Sequence, residues 1–75
     1  MRIRVEAYSG YRVNERPFRF WIQDHPFEVQ EILDTWYGPD HQYWKIMADD
    51  GYLYMIKYDM AQDLWSLEWM KKKGT

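Results

Sequence analysis

Cysteine is absent from the 75 residues of this chain. Its absence excludes disulfide bonds and thiolate metal sites, two devices that often stabilise domains too small for a large core. No apolar run approaches the ~20 residues of a membrane-spanning helix, and the charged N-terminal residues lack the continuous apolar segment of a secretory signal. We therefore expect one domain in a soluble, cytoplasmic protein that does not contact a membrane.

Signatures of catalysis and cofactor binding are also missing. The four glycines are isolated, so none forms a phosphate-binding loop, and no serine stands in the sequence context of a nucleophile. The pairs Asp24-His25 and Asp40-His41 lie in predicted turns, where both residue types are common, and no third ligand follows at a diagnostic spacing. We expect no enzyme activity, no cofactor and no metal.

Aromatic residues are abundant instead. Five Trp, seven Tyr and three Phe make up 20% of the chain. Each buried ring removes roughly 150–250 Å² from water, so ten buried rings would contribute on the order of 40–60 kcal/mol before conformational entropy is subtracted. We expect the aromatic residues to form the core, with about a third of the rings left for the surface.

The aromatic residues stand in short runs of alternating apolar and polar residues, the period of a half-buried β-strand. Turn residues separate six such runs. The pattern predicts an all-β fold, a single antiparallel five- to six-stranded meander curled into a small barrel or half-barrel, since closure removes the exposed edges of an open sheet. The residues predicted to face inward include Ile3, Val5, Ala7, Phe18, Phe20, Ile22, Trp44, Ile46, Trp65, Leu67 and Trp69. The first strand is predicted to end at Ser9-Gly10, with a loop over Tyr11 to Arg16.

The third run changes phase. Phe27 and Val29 share one parity, whereas Ile32 and Trp36 share the other. A β-bulge near Gln30-Glu31 would return both groups to the core side and bend the strand. A short helix over residues 28–36 is the alternative, because its apolar residues also fit a helical period; we favour the bulged strand because its neighbours are all strands.

The turn Asp49-Asp50-Gly51 predicts a hairpin between the fourth and fifth runs. A two-residue turn would place Trp44 on the face of Leu53. A three-residue turn with Gly51 in the left-handed region would place Trp44 on the face of Tyr54 and would gather Lys45 and Lys57 on the other face. We favour the second register because it leaves the inner face uncharged.

Charge is unevenly distributed along a chain whose net charge is −2. Residues 1–19 hold five Arg and two Glu, residues 20–70 hold ten acids and two Lys, and three Lys follow. Residues 71–75 are predicted to be a frayed basic tail. A basic patch would form if the first strand met this last segment.

A candidate binding face follows from pairing the first two strands. Their outward residues would include Arg4, Tyr8, Arg19 and Trp21, together with Arg2. Aromatic and basic side chains on one sheet face can bind single-stranded nucleic acid by base stacking and phosphate contacts. The alternative is a stabilising cation–π pair in which Arg19 stacks on Trp21.

Several segments carry a family resemblance. They are Tyr8-Ser9-Gly10-Tyr11-Arg12, Glu15-Arg16-Pro17, Glu28-Val29, Glu31-Ile32-Leu33-Asp34, Trp36-Tyr37-Gly38, Tyr43-Trp44-Lys45-Ile46, Asp50-Gly51, Tyr58-Asp59 and Trp65-Ser66-Leu67. On these the chain resembles a family of small uncharacterised bacterial all-β proteins, some of them encoded near translesion-polymerase genes. The resemblance implies a bacterial, cytoplasmic β domain and supplies no functional residues.

Taken together, the sequence predicts a non-enzymatic binding or interaction module. A protein partner is favoured, because the net charge is negative and the middle of the chain is acidic. Single-stranded nucleic acid bound through the Arg/aromatic face is the alternative. We expect a monomer or a weak oligomer.

Overall fold

The computed structural model describes residues 1–8 and 16–72, and it is a closed six-stranded antiparallel barrel. Each strand pairs with the next, and β1 pairs with β6, which confirms the predicted all-β meander. In the described residues no helix could span a membrane. The strands are β1 (Arg2–Tyr8), β2 (Arg16–Ile22), β3 (His25–Tyr37), β4 (His41–Ala48), β5 (Tyr52–Asp59) and β6 (Leu64–Lys72).

Two predicted segments lie wholly or partly outside this description. The predicted strand end at Ser9-Gly10, residues 11–15 of the predicted loop and residues 73–75 of the basic tail are not described. Arg16, predicted as the last loop residue, instead begins β2. The first two tail residues are described, and they extend β6: Lys71 and Lys72 lie opposite Leu53 and Tyr52 of β5.

The barrel interior is filled by aromatic and aliphatic side chains from β2, β4, β5 and β6. Trp44 is 1% exposed, and its ring lies 5.1 Å from that of Trp65. A second contact joins Phe20 to Tyr54, with ring centroids 5.1 Å apart in an edge-to-face arrangement. The predicted burial of Trp44 and Trp65 is confirmed. The buried core consists of Phe20, Trp44, Ile46, Ala48, Tyr54, Ile56, Tyr58 and Trp65.

The β4–β5 hairpin has the predicted three-residue register. Gly51 has φ +82°, and its N–H donates to the carbonyl of Ala48 at 3.0 Å. Trp44 lies opposite Ile56, on the inner face. The Asp50 carboxylate holds the turn, because it accepts hydrogen bonds from the Tyr52 N–H and the Tyr54 hydroxyl.

The conformation of Gly51 gives a direct test of this turn. A Cβ added there would meet no atom within 4 Å, so only the backbone conformation opposes substitution. Gly51→Val should lower the free energy of unfolding by about 1–2 kcal/mol, because a β-branched residue is strained at positive φ. Gly51→Asn should cost less, since Asn tolerates the left-handed region. Urea denaturation measures both, and equal losses in the two variants would contradict the argument.

Strand β3 contains two bulges, and it is a strand throughout rather than a helix. The register with β4 shifts between Val29 and Glu31, which confirms the predicted bulge, and again between Ile32 and Asp34. The second bulge was not predicted. It reverses the parity of everything that follows, so that Thr35 lies opposite inward Trp44.

Trp36 consequently lies on the outer face rather than the core side, which corrects the prediction. It stands opposite Tyr43 and is 44% exposed. Strand β6 also contains a bulge that reverses parity. Ile56 pairs with Leu67 but Met55 pairs with Trp69, so Glu68 is the extra residue of the bulge. Trp69 therefore faces outward, 37% exposed, and its predicted burial is wrong.

A further bulge alters the start of β2. Glu6 pairs with Arg19 but Ala7 pairs with Pro17, so the bulge leaves Phe18 without a direct partner. Pro17 takes the inward position and is fully buried. Phe18, predicted to face the core, instead packs against the ring of Tyr8 at 4.6 Å.

Candidate functional site

The four residues of the predicted binding face lie on the outer surface of β1 and β2. The register pairs Arg4 with Trp21, Glu6 with Arg19 and Tyr8 with Arg16. Since side chains two residues apart on a strand share a face, these pairs form three successive rows on one surface, which we call the β1–β2 face.

The stacking on this face differs from the expected one. The guanidinium of Arg4, not Arg19, lies over Trp21, with Cζ 4.0 Å from the ring centroid. Arg19 is held between two acids: its Nη1 is 3.2 Å from Glu6 Oε1, and its Nε donates to Glu28 Oε1. The hydrogen bond that Arg19 donates to Glu28, and the charges of both acids, raise the pKa of Arg19.

These acids interrupt the basic surface. Arg4 and Arg16 lie on the first and last rows, each over an aromatic ring. The positive charge of Arg19 in the middle row is compensated by its ion pairs with two acids. The lysines of β6 do not extend this face. Strand β1 meets β6 at Ser66, five positions before Lys71, and five strand residues span about 17 Å.

A second candidate surface, not predicted from the sequence, lies on the outside of β3 to β6. Trp36 and Trp69 stand at its two sides, on β3 and β6, and the half-buried Tyr43 and Met55 lie between them on β4 and β5. Together with Glu68 these residues line an open groove of about 400 Å³. We call it the aromatic groove.

Three features define the groove chemically. Within the described residues, no two of Trp36, Tyr43 and Trp69 make a ring–ring contact with each other, so the rings border an open space. Glu68 is its only charged lining residue and forms no ion pair in the part of the chain described. Lys71 approaches from outside the groove, with Nζ 5.6 Å from the Trp69 ring centroid.

Positions beside the groove carry both charge signs. Lys45 lies across from Asp34, and Lys57 lies across from Tyr43 and Ser66. The predicted gathering of the two lysines on the face opposite to the core is therefore observed. The surroundings of the groove are mixed in charge, whereas its described lining is aromatic and aliphatic apart from the Glu68 carboxylate.

Two other places on the barrel bring polar side chains together. A cavity of about 510 Å³ opens where β2 and β3 separate, and its described lining includes Arg16, Thr35 and Trp44. Of the predicted Asp-His turns, His41 lies 3.8 Å from Asp59. Across residues 1–8 and 16–72, no three His, Asp or Glu side chains come together as metal ligands.

Comparison of the chain with models of protein families, with curated proteins and with solved structures gave no match. A functional conclusion therefore depends on the two outer faces. One presents cations stacked on aromatic rings; the other presents tryptophans around an open groove.

Proposed function

We propose that this protein is a non-enzymatic binding module that recognises a protein partner through the aromatic groove. The observation that carries the proposal is that separate bulges in β3 and β6 turn Trp36 and Trp69 outward onto the same groove. Without the second bulge of β3 and the bulge of β6, the alternation of each strand would direct both side chains toward the core.

Exposing two tryptophans is costly for a domain of this size. Burying an aromatic side chain contributes roughly 1.5–3 kcal/mol, and a small domain has little stability to spare. Tryptophan and tyrosine are the residues that most often dominate the binding energy of protein interfaces. Apolar residues that surround an open groove are typical of such contacts.

Single-stranded nucleic acid binding by the β1–β2 face is a second candidate. The contact that favours it is Arg4 over Trp21, which combines an aromatic ring with a cation that could reach a phosphate. The acids on either side of Arg19 oppose it, because they would repel a phosphate backbone. We therefore rank it second.

A matched pair of variants distinguishes the two. Trp36→Ala removes a ring from the groove, and Trp21→Ala removes a ring from the opposite candidate face. We expect immobilised wild-type protein and the Trp21→Ala variant to retain the same protein from a bacterial host extract, and the Trp36→Ala variant to lose it. A short single-stranded oligonucleotide should leave the fluorescence of all three unchanged at near-physiological salt.

Two results would contradict a protein-binding role for the aromatic groove. A salt-sensitive fluorescence change that Trp21→Ala abolishes would place nucleic acid first, because phosphate binding releases counterions. Retention that is indifferent to both substitutions would contradict a role for either face. The proposal includes a cytoplasmic, bacterial setting, which rests on the sequence alone.

A further inference from the structure

The lining of the aromatic groove combines aromatic rings with a negative charge. The faces of Trp36, Tyr43 and Trp69 are electron-rich, and among the described residues the one charged group that lines the groove is the Glu68 carboxylate. In the described part of the chain that carboxylate has no cationic partner in ion-pair contact. Both features attract a cation and repel an anion.

We propose that the groove receives an arginine side chain of the protein partner. The inference rests on the proposed function, and it names the group that is recognised. The guanidinium would stack on a tryptophan face and pair with Glu68, while its methylene stem would pack on Tyr43 and Met55. Arginine suits this combination because its planar fork stacks on aromatic rings and binds carboxylates in two-point contacts.

The shape of the groove favours arginine over a compact cation. A quaternary ammonium group is bound best when rings enclose it, whereas these rings border a wide groove of about 400 Å³. A flat cation on a long stem can enter an open groove from the side. Arginine is also the cation found most often over aromatic rings.

The chain already makes the same contact elsewhere. On the β1–β2 face, Arg4 lies 4.0 Å above Trp21, and Arg19 in the next row pairs with Glu28. Guanidinium stacking on tryptophan and guanidinium pairing with glutamate therefore both occur on an outer face of this barrel. In the groove, Trp69 provides an aromatic ring for such stacking and Glu68 provides a carboxylate for such pairing.

Three lysines lie near the groove, and they differ in their distance from its rings. Lys45 lies across from an acid, Asp34, and Lys57 is not among the residues that line the groove. Lys71 is different, because its ammonium lies 5.6 Å from the centre of the Trp69 ring and would compete with an incoming guanidinium. Removing this charge should therefore strengthen the binding of a cation and weaken the binding of an anion.

The test uses a short capped peptide with a central arginine between leucines, and the same peptide with citrulline, its neutral isostere. Binding is followed by the NMR signals of the tryptophan indole N–H groups, which separate Trp36 and Trp69 from the other tryptophans once assigned by substitution. We expect the citrulline peptide to bind about fivefold more weakly, the loss of an exposed cation–π contact. Both groove indoles should shift, and the Trp21 indole should not.

Variants assign the contacts. Glu68→Gln keeps the size of the side chain and should weaken the arginine peptide about threefold, as for an exposed ion pair. Trp69→Phe should weaken it by a similar factor, because tryptophan is the best cation–π ring. Lys71→Met should tighten it about twofold. Arg4→Met, on the opposite face, is the control and should leave the affinity unchanged.

Several outcomes would overturn the inference. Equal binding of arginine and citrulline peptides would remove the role of charge, and tighter binding of a trimethyllysine peptide would assign the groove to a compact cation. Weaker binding of the arginine peptide to Lys71→Met would contradict the competition between Lys71 and an incoming guanidinium at Trp69. If no peptide binds while Trp36→Ala still abolishes retention of a protein partner, the arginine inference fails and the proposed function stands; if that retention is also insensitive to Trp36→Ala, both fail.

Discussion

Replacing Trp44 by alanine is expected to lower the free energy of unfolding by about 3–5 kcal/mol, close to the total stability of many small domains. Trp44 is one of the largest fully buried side chains and stands at the centre of β4. It contacts the Trp65 ring and lies opposite Ile56 on the inner face. Its removal would leave a cavity that the rigid strand pairs around it can close only in part. Thermal and urea denaturation measure the loss.

The outward tryptophans provide the control for this prediction. Trp36→Ala and Trp69→Ala remove the same side chain from the outer face, so each should cost no more than about 1 kcal/mol. A Trp44→Ala variant that melts within a few degrees of wild type would show that the assignment of inner and outer faces is wrong. So would a Trp69→Ala variant as unstable as Trp44→Ala.

Alkaline pH is expected to destabilise the protein through Tyr54. Burial, and secondly its hydrogen bond and proximity to the Asp50 carboxylate, raise the pKa of Tyr54 well above its ordinary value of 10. A group whose pKa is higher in the folded state binds its proton more tightly there. Its contribution is therefore fully present below pH 10, and it is lost as the pH rises from 10 toward the folded-state pKa.

Tyr54→Phe is the matched variant for this effect. It keeps the ring that packs on Phe20 and removes the hydroxyl that donates to Asp50 at 2.5 Å. We expect a loss of about 1 kcal/mol at neutral pH and a shallower decline of stability between pH 10 and 12. Melting temperatures measured across this range test it. A decline equally steep in both proteins would show that another group is responsible.

The sequence was sufficient for the parts of the fold that follow from local pattern. Alternation of apolar and polar residues predicted the six strands, and Asp49-Asp50-Gly51 predicted the hairpin. Its register followed from placing Lys45 and Lys57 together on the outer face. The first bulge of β3 was also visible, because Val29 and Ile32 are both apolar but differ in parity. In each case the pattern in the sequence and the hydrophobic core require the same arrangement.

The sequence shows no change of parity that would predict the remaining bulges. After Ile32 the next apolar residue of matching parity is Trp36, so a strand without a second bulge would bury both side chains. In β6, Leu67 and Trp69 also share one parity and would both be buried in a strand without a bulge. The structure instead turns Thr35 inward and both tryptophans outward. Because the sequence pattern favours burial of both tryptophans, it does not predict the groove. Positions where the structure departs from the pattern of apolar and polar residues are often functional sites.

Closure of the barrel has a kinetic consequence. The seam between β1 and β6 pairs Arg2 with Ser66 and Ile3 with Trp65, near the two ends of the described chain, whereas the strand pairs from β3 to β6 follow one another through short turns. Joining distant segments costs more chain entropy than closing a hairpin. We therefore expect the seam to form last and to open first. The aromatic groove spans β3 to β6 and does not cross the seam, so the binding surface should be assembled before the barrel closes.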